Sequence, residues 1–150
     1  MIIDWIIENL LPLTVVNEDE MGVQLKRGRY TKTVGPGIYF VCPLIDEIQT
    51  ITVTTQVIDM EDQVIMIDDR PYFISVTVEY TVENAFKAML CVQDYDEAIA
   101  TITMNLVNKY QGHTEQVEDE ISTKAEKWGL SVTNVSINQM APCKVFKVVQ

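Results

Sequence analysis

The sequence predicts an α+β fold: a strongly curved, mostly antiparallel β-sheet with two or three helices packed on one side. Three observations carry that reading. Between Thr14 and Val82, short apolar or alternating runs are separated by Gly, Pro and acidic turns, the pattern of strands. After Val82 the apolar period lengthens to that of helices. At Leu130 it returns to that of a strand. With 150 residues the chain is long enough to bury a core without disulfide or metal staples. No linker or internal repeat is visible, so residues 14–150 read as one domain behind a distinct segment of residues 1–13.

That first segment, MIIDWIIENLLPL, is large and apolar except for Asp4, Glu8 and Asn9. On a helix, Asp4 and Glu8 share one narrow polar stripe, and Ile2, Ile3, Trp5, Ile6, Ile7 and Leu10 cover the rest. Pro12 ends it. At about 18–20 Å such a helix is too short to cross a hydrocarbon core of about 30 Å.

Thr14–Asn17 and Met21–Leu25 read as strands joined by the turn Glu18-Asp19-Glu20. Gly35-Pro36-Gly37 is the sharpest break, because glycines flanking a proline allow a turn that a Cβ obstructs. Ile38–Val41 is a short strand closed by Pro43, a residue confined to strand ends and edges. Ile48–Val57 alternates and predicts a single strand. Val64–Ile67 and Tyr72–Val82 flank Asp68-Asp69-Arg70-Pro71 as a hairpin, with Phe73, Ser75, Thr77 and Glu79 on one face and Ile74, Val76, Val78 and Tyr80 on the other.

Asn84 caps a short helix through Val92. Asp94, with Glu97 three residues on, caps a second helix whose apolar side is Ala98, Ile99, Ile102, Leu106 and Tyr110. Gly112 stops it. Thr114 caps a third helix that buries Val117, Ile121, Ala125 and Trp128, and Gly129 stands where a left-handed residue ends a helix. Leu130–Ile137 returns to strand. A slip in its alternation at Thr133-Asn134 predicts a bulge or bend, and Ala141-Pro142 breaks the strand. The tail Val145–Val149 is β-branched and fits a further strand.

Charge and composition narrow the function. Eleven Lys+Arg against 22 Asp+Glu give a net charge of −11. Such a surface repels nucleic acid and argues against docking on anionic lipid through a basic patch. Cys42, Cys91 and Cys143 are odd in number and widely spaced, which fits buried thiols in a reducing compartment rather than disulfides or zinc. No phosphate-binding glycine loop, HExxH or GxSxG motif occurs. The single histidine, His113, lies in a turn without a partner nucleophile. Asp94-Tyr95-Asp96-Glu97 lacks the glycine and distal glutamate of a calcium loop and reads as a cap. Glu115, Glu118, Asp119 and Glu120 fit a solvated helix start, with docking of a basic partner as the alternative. No enzyme, cofactor or metal site is expected.

Four segments resemble the SPFH, or band 7, family of stomatins, prohibitins and flotillins. Met21–Arg29 is similar to its "gVv-rlGk" segment, and Gly35–Asp46 to its "PG-h-f-hhPhhd" stretch. Asp68–Val82 resembles its hairpin strand, and Trp128–Ile137 its "wGi-v-v-i" strand. Together they cover about residues 14–142 in the family's order. The fold-defining turn residues on this resemblance are Gly35, Pro36, Gly37, Pro43 and Gly129. The stretch Leu106–Trp128 is shorter than usual. The sequence stops at Gln150, where the family's coiled coil begins, so a large closed cage is not expected of it.

The resemblance implies a non-enzymatic, oligomerising scaffold on the cytoplasmic side of a membrane. Residues 1–13 then form an in-plane anchor, and the partners are copies of the chain and other SPFH or membrane proteins. Alternatives remain open. The N-terminal face also fits a neighbouring subunit or the chain's own sheet. The chain then reads as a cytoplasmic protein, as a structural subunit of a larger particle, viral included, or as a short partner co-assembling with a longer SPFH protein.

Overall fold

Alternating strands need a partner face, and the chain supplies it twice. The computed structural model describes residues 13–42 and 44–144. These divide after Thr54 into two compact units. The anchor residues Ile2, Ile3, Trp5, Ile6, Ile7 and Leu10, the turn residue Pro43 and the tail Val145–Val149 lie outside the described residues.

The first unit holds β1 (Leu13–Val16), β2 (Glu20–Lys26), β3 (Arg29–Val34), β4 (Gly37–Phe40) and β5 (Asp46–Thr52). β3, β2 and β5 form an antiparallel sheet, and β1 and β4 pair as a separate two-stranded ribbon. Lys26 opposes Arg29 across a two-residue turn in which Arg27 and Gly28 both have positive φ, the type I′ geometry that matches strand twist. Val16, Val23, Val34 and Ile51 are buried. Gly22 allows their close approach: a Cβ there would stand 2.7 Å from both Ile48 and Val34 methyls.

The second unit holds β6 (Gln56–Asp59), β7 (Gln63–Ile67), β8 (Arg70–Val82), α1 (Ala85–Cys91), α2 (Tyr95–Lys109), α3 (Thr114–Glu126) and β9 (Leu130–Pro142). β8 is central. β6 and β7 pair with it on one side and β9 on the other, all antiparallel. The β7–β8 hairpin turns through Asp68 and Asp69, both at positive φ. Ile74, Val76, Val78 and Tyr80 are all buried, as their alternation predicts. Against them lie Ile99, Leu106 and Val107 of α2 and Val117, Ile121 and Ala125 of α3, also buried. The architecture is α+β.

Two bulges shape β9. The register skips Thr133 opposite Glu79/Tyr80, at the predicted slip. It skips again at Asn138, whose amide donates to Thr77 Oγ1 while Thr77 donates to Asp59 Oδ1 at 2.7 Å. The second bulge thus satisfies a hydroxyl that the sheet buries.

Several local expectations change. Ile48–Val57 is two strands, β5 and β6, because Val53–Thr55 leave one ladder before joining another and Val53 N–H instead donates to Asp19 C=O at 2.8 Å. β9 runs on through Pro142, which an edge strand tolerates since its missing N–H faces no neighbour. The α2 stripe centres on Ile99, Thr103, Leu106 and Val107, leaving Ala98, Ile102 and Tyr110 half-buried. Thr103 is accommodated because its hydroxyl donates to Ile99 C=O at 2.8 Å. The N-cap of α3 is His113, not Thr114, and its exposed side chain makes no capping bond. Trp128 is half-buried beyond the helix end. Asn84 and Asp94 do cap, each accepting a backbone N–H at 3.1 Å. Cys91 is exposed and Cys42 and Cys143 only half-buried. Ala85 and Ala88 face the core, and two three-residue steps carry Cys91 about 120° away from Ala85 around the helix.

Of the turn glycines, Gly37 has φ +151° and Gly129 φ +75°. Gly35 has open space where a Cβ would stand, so the steric demand at this turn falls on Gly37. Pro36 forms the bend between them, and Tyr39 hydroxyl closes it by donating to Gly35 C=O at 2.9 Å. At Gly129 a Cβ would meet Asn84 C=O at 2.7 Å and Lys87 Cβ at 2.9 Å. The Gly129 carbonyl also accepts N–H groups of both Glu83 and Asn84. Gly129→Ala is therefore expected to destabilise the protein by at least ~2 kcal/mol in urea denaturation, whereas Gly35→Ala changes it by less than ~1 kcal/mol. Equal effects would contradict this assignment.

Candidate functional site

The β1–β4 ribbon has two faces, set by its register. Leu13 pairs with Phe40, Thr14 with Tyr39, Val15 with Ile38 and Val16 with Gly37. Side chains alternate along a strand, so Thr14, Val16 and Tyr39 share one face and Leu13, Val15, Ile38 and Phe40 the other. The first face turns inward: Val16 is buried and Thr14 and Tyr39 half-buried. The second is bare, with Leu13 51 %, Val15 60 %, Ile38 72 % and Phe40 74 % exposed. Leu44, in the turn after β4, is 94 % exposed. Scattered apolar side chains on a surface need no explanation, but two adjacent cross-strand apolar pairs form a continuous patch. The sequence reading missed these five residues. It marked Ile38–Val41 as a short apolar strand without assigning its faces.

The other polar clusters hold structure together. Tyr80, buried on β8, donates its hydroxyl to Asp96 in the first turn of α2, and the Gln56 amide lies 3.0 Å from the same oxygen. Tyr95 meets the Tyr80 ring edge-on, with centroids 6.1 Å apart. Burial, then the Asp96 hydrogen bond, pushes the Tyr80 phenol well above its ordinary pKa. Asp94 caps and Asp96 accepts, so both carboxylates have structural employment.

A second cluster clasps α2 to α3. Lys109 Nζ reaches Glu120 Oε2 at 2.8 Å, Tyr110 hydroxyl donates to the same oxygen at 2.6 Å, and Lys124 lies 2.9 Å from Oε1. Hydrogen bonds from Lys109, Tyr110 and Lys124 pull the Glu120 pKa down from 4.5 to about 2. Of the sequence's acidic run, Glu120 is thus engaged, while Glu115 and Asp119 are exposed.

A cleft of about 510 Å³ beside α2 is lined by Ile58, Asp59, Met60, Glu61, Glu97 and Met104, among others. It holds carboxylates but no histidine or cysteine. Among the described residues no three ligand-type side chains are grouped as a metal site requires, and no helix is long and apolar enough to cross a membrane.

The sequence profile of the SPFH domain / Band 7 family matches residues 14–110, from β1 through the whole of α2. The chain belongs to this family. The curated relatives of this SPFH chain include a stomatin homolog of Pyrococcus horikoshii, 26 % identical over 142 residues, covering 85 % of this chain and 53 % of its own. A second stomatin homolog, from Pyrococcus abyssi, matches to the same extent. An uncharacterized protein of Archaeoglobus fulgidus is 27 % identical over 145 residues, 87 % of this chain and 58 % of its own. The SPFH chain thus spans about half the length of these relatives.

The clasp has a testable pH dependence. A depressed carboxylate pKa stabilises the fold fully above pH 4.5, and that contribution is lost as pH falls toward 2. Glu120→Gln is expected to lower stability at neutral pH and to flatten this acid limb, read as the urea midpoint against pH. An unchanged acid limb would contradict the clasp.

Proposed function

We propose that this chain is a non-enzymatic scaffold module that seats on a membrane surface and assembles side by side with its own kind. The observation that carries this reading is the bare apolar face Leu13, Val15, Ile38 and Phe40, with exposed Leu44 four residues after Phe40 in the chain. Kinship with stomatin homologs supports it.

The physical basis is partition. Removing a large aliphatic or aromatic side chain from water contributes about 1.5–3 kcal/mol when burial is complete. Interfacial seating gives each side chain part of that, so one module binds modestly and reversibly. Lateral assembly then multiplies the effect, because each copy already held raises the effective concentration of the next contact. On this reading Ile2, Ile3, Trp5, Ile6, Ile7 and Leu10, which precede Leu13 in the chain, contribute to membrane binding as well. The polar clusters serve to hold the second unit rigid, and none is assigned a chemical step.

Phe40→Asp with Leu44→Asp is expected to weaken flotation of the full chain with phosphatidylcholine vesicles by about 30- to 1000-fold, equivalent to ~2–4 kcal/mol. The far-UV circular dichroism should be unchanged. A folded double variant that floats as well as the parent would refute the membrane reading. If the substitution instead dissolves a defined oligomer without lipid, the face belongs to a neighbouring subunit.

A further inference from the structure

Four of the chain's eleven cationic residues, Lys26, Arg27, Arg29 and Lys32, fall within seven positions. The fold gathers them on one hairpin. Lys26 opposes Arg29 at its end, Arg27 occupies the turn, and Lys32 opposes Gln24 further along. All four are exposed, and among the described residues none of them forms an ion pair.

The hairpin tip is also fastened to the apolar surface. Arg27 N–H donates to Ile45 C=O at 2.7 Å. Ile45 and Asp46 N–H groups both donate to Cys42 C=O, at 2.9 and 2.8 Å, closing the turn that carries Leu44. Phe40 lies only two residues before Cys42. Cations and bare apolar side chains therefore occupy one end of the first unit. The other end of β2 is acidic, with Glu18, Asp19 and Glu20.

We propose that this end docks selectively on anionic lipid, with Lys26, Arg27 and Arg29 against the headgroups and Phe40 and Leu44 inserted between them. The inference rests on the membrane reading above and adds the lipid chemistry. Net charge of the whole chain is the wrong quantity at this scale. Screening in physiological salt confines electrostatics to about 8 Å, whereas β2 separates its basic and acidic ends by about 20 Å. The nearer carboxylates are Asp46, opposite Lys26 in the ladder, and Glu47 beside it, opposite Leu25. One Asp46 oxygen is buried, and Glu47 accepts the Gln49 amide N–H at 2.8 Å. Four cations against these two carboxylates leave the hairpin net positive. A cation near an anionic surface strengthens binding by roughly fivefold.

The test uses the full chain with vesicles of phosphatidylcholine alone and of phosphatidylcholine mixed with phosphatidylserine. The triple variant is Lys26→Gln, Arg27→Asn and Arg29→Gln, asparagine being chosen because it tolerates the left-handed backbone at position 27. The expected result is stronger binding of the parent to the anionic vesicles, weakened by salt. The variant should lose roughly a hundredfold there and nothing on phosphatidylcholine. Should the variant misfold, the salt dependence of the parent decides alone. Equal, salt-insensitive binding of the parent to both vesicles overturns the lipid selectivity and leaves the membrane reading standing. Binding to neither overturns both.

Discussion

A two-stranded ribbon can press only one face against its own sheet, and the β1–β4 ribbon turns the face of Val16 inward and its wholly apolar face outward. The register of that ribbon is the constraint on which the functional account depends. Because side chains alternate with a period of two, pairing Val16 with Gly37 commits Leu13, Val15, Ile38 and Phe40 to the opposite face together. A slip by one residue would split the set, placing Leu13 and Val15 on the same face as Tyr39 instead of with Ile38 and Phe40. Val16 is held by its neighbours: its methyl stands 3.2 Å from the place a Gly22 Cβ would take, so only glycine lets the ribbon close on the sheet. A short ribbon is marginal by itself.

The second unit exposes apolar side chains too, among them Val57, Val64 and Met66, but it closes a core of its own. Its long central strand is covered by helices on the apolar face. Its buried polar groups are satisfied by partners such as Asp96 for Tyr80 and Asp59 and Asn138 for Thr77. The bulge at Asn138 and the proline at the end of β9 also make that long edge irregular, which discourages indiscriminate strand pairing. The bare β1–β4 face and the clustered cations both lie in the first unit, while the second has a closed, internally satisfied core.

Much of this was legible in the residues. The alternation of Ile74, Val76, Val78 and Tyr80 named the buried face of β8, because a half-covered strand has no other stable arrangement. Asn84 and Asp94 announced their helices through chemistry local to one turn. The slip at Thr133 was visible because a bulge breaks a period of two. Family membership followed from segments whose glycines and prolines are tied to particular turns.

What escaped is what depends on distant neighbours. The alternation of Ile48–Val57 continues across the junction between two ladders, so no local signal marks the break at Val53–Thr55. Exposure of Phe40 and Leu44 depends on what covers them, and an apolar run reads as core unless the tertiary structure is known. The cations at Lys26–Lys32 were hidden by summing charge over the chain. The claim that unites these points is that residue 44 enters lipid. A full chain carrying Leu44→Trp, with Trp5→Phe and Trp128→Phe, isolates one fluorophore there. On vesicles containing brominated lipid, the account predicts a blue-shifted emission that the bromines quench. Emission at the wavelength of water-exposed tryptophan, unquenched while the protein floats with the vesicles, would contradict it.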